Sequence, residues 1–149
     1  MSDSKVAKAR KRLRTIATNV TADSLTIAAG RIFLGTRAAG AQFTKEFSYA
    51  LNQPELTIGS PSIGFSGSSF PLLIETELVV PLAGQSAQEW SNVDNLVAAL
   101  RAAWLTAGSY PSGEAAAHTC DYEPYRTEVR GDITLVRVAL TVAFDNPDV

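Results

Sequence analysis

The sequence predicts an α+β fold: a mixed, mainly antiparallel β-sheet with a helix packed on it, an N-terminal amphipathic helix, and a closing β-hairpin. Three stretches carry that prediction. Leu72 to Val80 alternates, with Leu72, Ile74, Thr76, Leu78 and Val80 on one side and Leu73, Glu75, Glu77 and Val79 on the other, as a strand with one buried face must. Glu89 to Leu105 places Trp90, Val93, Val97, Leu100 and Trp104 at three- and four-residue steps, which is the apolar stripe of a helix docked on a sheet. Ile133 to Phe144 alternates again, with Val136, Val138, Leu140, Val142 and Phe144 directed to the core.

The elements follow in order. Ser2, Asp3 and Ser4 offer short side-chain oxygens to cap a helix. Val6, Ala9, Leu13, Ile16, Ala17 and Val20 then recur at helical spacing, with basic residues between them. The predicted basic helix spans residues 1–22, and β-branched Thr18, Val20 and Thr21 weaken its end. Leu25 to Leu34 reads as strand-like with a break at Gly30. Residues 41–52 fit helix and strand equally: Phe43 and Phe47 are four apart, while Phe47, Tyr49 and Leu51 alternate. Glu55 to Gly59 is a short strand. Residues 59–71 hold three Gly, five Ser and two Pro, the composition of a mobile loop. Its Ile63, Phe65 and Phe70 are apolar side chains that need a partner or the core to cover them. Pro81 to Gln85 is a connector. Ser86 and Glu89 form a capping box, and Ser91 with Asp94 offers a second start. Thr119 to Val129 and the last strand flank Gly131, which predicts a hairpin.

The chain has 149 residues, 46% of them hydrophobic and 19% charged, which suits one domain with a real core and rules out a disordered chain. No apolar run reaches the ~20 residues of a membrane helix, and the basic start lacks the apolar stretch of a secretory signal. The lone Cys120 excludes an internal disulfide and fits a reducing cytoplasm. The net charge of −2 hides an asymmetry. Lys5, Lys8, Arg10, Lys11, Arg12 and Arg14 stand against Asp3 alone in the first fourteen residues, leaving seven Lys/Arg against fourteen Asp/Glu elsewhere. A basic face on an acidic body implies a negative partner, either nucleic acid or a neighbouring copy, or else a merely solvated helix face.

Motifs for chemistry are few. There is no phosphate-binding Gly-Lys loop, and Gly30, Gly35 and Gly40 lack dinucleotide-binding spacing. His118 is the only histidine, and no nucleophile turn accompanies it. His118 and Cys120 would share one face of an extended segment, with Asp121 and Glu123 as the only nearby further ligands, so a small buried hydrophobe is the plainer reading of the cysteine. Glu75 and Glu77 are paired carboxylates on a wet strand face, where solvation is the ordinary explanation. Arg130-Gly131-Asp132 matches a receptor-binding tripeptide and is explained by the turn alone. Arg126, Glu128 and Arg130 share a face of the penultimate strand, and Arg137 lies on the non-core face of the last, a charge pattern able to pair with a second subunit. Neither a catalytic nor a cofactor nor a metal site is expected.

The order of parts resembles the tail-terminator proteins of long-tailed bacteriophages, the phage lambda family in particular. Gly30 to Phe33, Glu55 to Ser60, Leu72 to Leu82 followed by the helix from Trp90, and Asp121 to Arg126 with the turn and terminal strand carry the likeness. The resemblance implies a single domain over residues 1–149, acting as a virion structural protein of the tail or neck, assembled in the host cytoplasm. Six copies would form a hexameric ring that stacks on the tail tube protein, ends tube growth and offers a joint to the head–tail connector or stopper protein. DNA would pass through its lumen without sequence-specific contact. It implies no enzyme activity, no cofactor and no membrane. Candidate inter-subunit or tube contacts are Ile63, Phe65, Phe70, Arg126, Glu128, Arg130 and Arg137. The alternatives are another phage neck, head–tail stopper or tail-completion subunit, and a small nucleic-acid-binding protein using Lys5 to Arg14.

Overall fold

The computed structural model describes residues 4–35, 49–63 and 72–144, without the side chains of Lys5 and residues 60–63. It is an α+β fold with a mainly antiparallel sheet. The first helix, α1, runs Lys5–Ala17 and is capped by Ser4, whose hydroxyl accepts from the Ala7 amide. It ends five residues before the expected 22. Thr18 Oγ1 and Asn19 Nδ2 both donate to the Thr15 carbonyl, diverting the last turn as such side chains do. Thr21–Ala22 (β1) and Leu25–Thr26 (β2) then form a small hairpin. Asp23 and Ser24, both at positive φ, make its two-residue turn. The expected strand over Leu25 to Leu34 is therefore split: a 3-10 turn at Ala29–Arg31 separates β2 from β3, Ile32–Leu34.

Among the described residues six strands make the main sheet. Its order is β3, β4 (Glu55–Ile63), β5 (Leu72–Leu82), β8 (Ile133–Phe144) and β6 (Ala117–Tyr122), with β7 (Arg126–Arg130) also on β8. Among the described strands only β3 and β4 are parallel; the remaining pairs are antiparallel. The loop expected from residue 59 begins later, because Pro61, Ser62 and Ile63 pair with Ile74, Leu73 and Leu72 after a bulge. Proline fits there because β3 flanks β4 only as far as Ile58, leaving Pro61 without a neighbouring strand on that side among the described residues. Phe65 and Phe70, and residues 41–48 of the ambiguous stretch, lie outside the described residues, while 49–52 are coil and turn. Pro81 and Leu82, expected in a connector, extend β5 against Leu135 and Thr134.

The expected strand from Thr119 to Val129 is two strands. Pro124 cannot donate to a ladder, and the chain leaves the sheet between Tyr122 and Arg126 before rejoining the same neighbour. The closing hairpin is as expected: Arg130 pairs with Ile133 around Gly131, whose φ is +58°.

Alternation divides the sheet into two faces. Leu56, Ile58, Leu72, Ile74, Leu78, Val80, Val136, Val138, Leu140, Val142 and Phe144 point inward and are buried. Thr76, in the same row, donates its hydroxyl to the Leu140 carbonyl at 3.0 Å, so no polar group is left unsatisfied there. Both helices close this face. The second, α2 (Ala87–Trp104), starts at the Ser86–Glu89 capping box and buries Val93, Leu96, Val97, Leu100 and Trp104. Trp104 is fully buried and donates Nε1–H to the Leu13 carbonyl of α1 at 3.1 Å. Burial of each such side chain contributes about 1.5–3 kcal/mol. The opposite face has no described helix over it.

Candidate subunit interface on the open sheet face

The open face is built by the residues between the core positions. Arg126 stands directly opposite Arg137 across the β7–β8 pair, an arrangement that repels unless a carboxylate intervenes. Glu77 of β5 supplies it. Its two oxygens lie 3.2 Å from Arg126 Nη2 and 3.0 Å from Arg137 Nη1. Glu128 continues the chain, 3.1 Å from Arg137 Nη2 and 2.5 Å from Arg130 Nε. The Arg130 guanidinium in turn sits 5.7 Å from the centre of the Tyr49 ring, within cation–π range.

The result is a ladder of alternating charge, Arg126–Glu77–Arg137–Glu128–Arg130. Its electrostatics follow. The hydrogen bond from Arg130, then that from Arg137, holds the Glu128 carboxyl below the usual glutamate value. Burial works against the charge of Arg137, but hydrogen bonds with Tyr49 and Glu128 outweigh it and raise its pKa above the ordinary arginine value.

Beside the ladder the face turns acidic. Glu75, Thr141 and Asp121 form one row across β5, β8 and β6. Glu77 and Ala139 are paired in the next row, and the Glu123 amide donates to the Ala139 carbonyl at 3.0 Å. The small residues Ala139 and Thr141 are thus a floor between two acidic walls. A concavity of about 500 Å³ opens over it, lined by Glu75, Glu77, Glu123, Arg126, Arg137 and Thr141 among others. Glu75, Asp121 and Glu123 are exposed and have no cation within ion-pair distance among the described residues. At the margin of the face a buried pair, Arg31 Nη1 to Glu55 Oε2 at 3.2 Å, joins the turn before β3 to β4.

The four expected charged contacts, Arg126, Glu128, Arg130 and Arg137, are therefore brought together. Ile63 ends β4, away from them in the pairing order. Glu77 and Tyr49 were not expected here. Glu77 was visible only as one of two carboxylates on a strand face; its bridging role depends on cross-strand register.

The basic helix is only partly as expected. Lys8, Lys11 and Arg14 are exposed on the side of α1 that faces away from the sheet. Arg10 and Arg12 are half-buried flanking residues instead. Arg10 Nη2 donates to the Ile58 carbonyl at 3.3 Å, and Arg12 is paired with Glu114 at 3.2 Å.

The His118–Cys120 pairing is corrected as well. A register shift between Ala117 and Thr119 leaves His118 exposed while Cys120 is fully buried. Burial pushes the thiol up to about 11, and Arg101 nearby only partly offsets this; such a thiol is poorly ionised and unreactive at neutral pH. Among the described residues no three His, Cys, Asp or Glu side chains come together to hold a metal ion. The open face thus offers paired charges and hydroxyls, with the means to recognise a polar surface. No protein-family model matches the chain, and no curated protein matches it.

Proposed function

We propose that the chain is a ring-forming structural subunit of a long-tailed bacteriophage, a tail terminator that caps the tail tube and joins it to the head connector. The observation that carries this reading is the division of one sheet into a sealed helical face and an open face of pre-paired charges. A ladder such as Arg126–Glu77–Arg137–Glu128–Arg130 is already held in place, so little side-chain entropy is lost when a flat protein partner docks on it. The order of elements supports the same reading: a leading helix, short strands, the long β4–β5 hairpin, a helix on the sheet and a closing hairpin.

The test is the mass of the purified protein by light scattering across a concentration series, with negative-stain images of the same samples. The expected result is a hexamer, or a single subunit that becomes a ring as concentration rises. A single subunit at every concentration counts against a self-assembling ring and favours a neck or stopper subunit that assembles only on its connector. Binding of DNA that falls steeply with salt and disappears with Lys8→Gln/Lys11→Gln/Arg14→Gln would instead favour the nucleic-acid reading.

A further inference from the structure

We infer that neighbouring copies join head to tail, the solvent side of α1 of one copy placing its basic side chains into the acidic trough of the next. This rests on the ring reading and names the contact that would close it. Four observations converge on it.

First, the two surfaces are complementary in charge. Lys8, Lys11 and Arg14 share the outward stripe of α1, at steps of three residues, which is one side of a helix. Glu75, Asp121 and Glu123 are the carboxylates of the open face that the arginine ladder does not neutralise. Exposed positive groups of the helix, Lys8 and Arg14 foremost, thus meet exposed carboxylates, of which Glu75 and Glu123 line the concavity.

Second, the surfaces lie on opposite sides of the subunit. Ala9, Leu13, Ile16 and Ala17 bind α1 to the inner face of the sheet, so its stripe points away from that sheet. The trough is on the other face. A contact between two different patches is heterologous, and a heterologous contact repeats until a ring closes or a filament grows.

Third, the dimensions match. Adjacent strands are about 4.8 Å apart, so walls two strands apart stand roughly 10 Å from each other. That admits extended lysine and arginine side chains and excludes a whole helix, whose diameter with side chains is about 10–12 Å. Glu75 and Glu77 are about 6.7 Å apart along β5, and successive residues of the stripe rise about 4.5 Å, a difference that flexible lysine stems accommodate.

Fourth, the floor is small. Ala139 and Thr141 leave the concavity open between the walls, where larger side chains would fill it.

Charge reversal tests the pairing. In Lys8→Glu/Arg14→Glu the helix repels the trough, and in Glu75→Lys/Glu123→Lys the trough repels the helix. All four positions are exposed, and circular dichroism checks that each variant is folded. Each variant alone is expected to scatter as a single subunit where the wild type forms a ring. An equimolar mixture is expected to restore a ring of alternating copies, because each contact is then again between opposite charges. Should a reversal disturb the fold, Lys8→Gln/Arg14→Gln is expected to require about tenfold more protein for half-assembly. Rings that persist in either reversed variant, folded variants that do not rescue each other, or an unchanged assembly concentration in the glutamine variant overturn this contact and leave the ring reading standing. A wild-type chain that stays a single subunit at every concentration overturns both.

Discussion

The two faces of the sheet are made by the same strands and obey different physics. On β5, Leu72, Ile74, Leu78 and Val80 are buried under the helices, while Glu75 and Glu77, one residue out of step, face the open side. The inner face is held by area removed from water and close packing, so each atom there affects stability. The outer face carries ion pairs that water partly screens beside buried Val79 and Leu135, so its exposed charged residues change at little cost to the fold. A protein built in this way can vary its partner surface without endangering its core.

Substitutions on each side sharpen the contrast. Trp104→Ala removes the largest fully buried side chain and its hydrogen bond to Leu13; it is expected to lower the unfolding free energy by about 3–5 kcal/mol, read by denaturant titration. A loss below about 1 kcal/mol would abolish the distinction between the faces. Gly59→Ala follows at about 1–3 kcal/mol, because the added Cβ would lie 2.9 Å from the Glu75 carbonyl oxygen and force β4 away from β5. Glu77→Gln is expected to change stability by less than about 1 kcal/mol, yet to weaken assembly measured by light scattering, since it unties Arg126 from Arg137.

The smallest effect is a pH dependence. Glu128 on the ladder and Glu89 in the capping box have pKa values below the ordinary 4.5. For Glu89 the first cause is the hydrogen bond from the Ser86 amide. A carboxyl with a lowered folded pKa contributes stability above its unfolded value and loses it as pH falls through the folded value. Thermal melts should therefore be flat above about pH 5 on this account and fall below 4.5, with a shallower fall in Glu128→Gln. An identical fall in that variant would show that the ladder contributes nothing to the acid response.

Sequence pattern reached the inner face almost completely, because apolar alternation and helical spacing are direct records of burial. Val136 to Phe144 and the stripe from Val93 to Trp104 needed nothing more. The outer face was legible only within a strand. Arg126, Glu128 and Arg130 could be grouped by alternation, but their union with Glu77 follows from pairing between residues 49 to 60 positions apart, which no local pattern records. The same limit explains Arg10 and Arg12, whose partners at Ile58 and Glu114 are distant in sequence. Composition misled at Gly59 to Ile63, where Ser and Pro continue β4 against β5. Pro124 was a visible break inside a run that otherwise read as continuous strand.

The pairing of β5 with β8 also has a kinetic consequence. Leu72 lies against Phe144 and Leu82 against Thr134, so the middle of the sheet exists only after a long loop has closed. Helix α2 lies within that loop and carries its own capping box, so it can form from local contacts while the loop is still open. Folding should then be slow for a chain of this size and limited by the meeting of β5 and β8. Stopped-flow refolding of Leu140→Ala reads this: a slower folding limb places the strand pair in the barrier, and an unchanged one places it after.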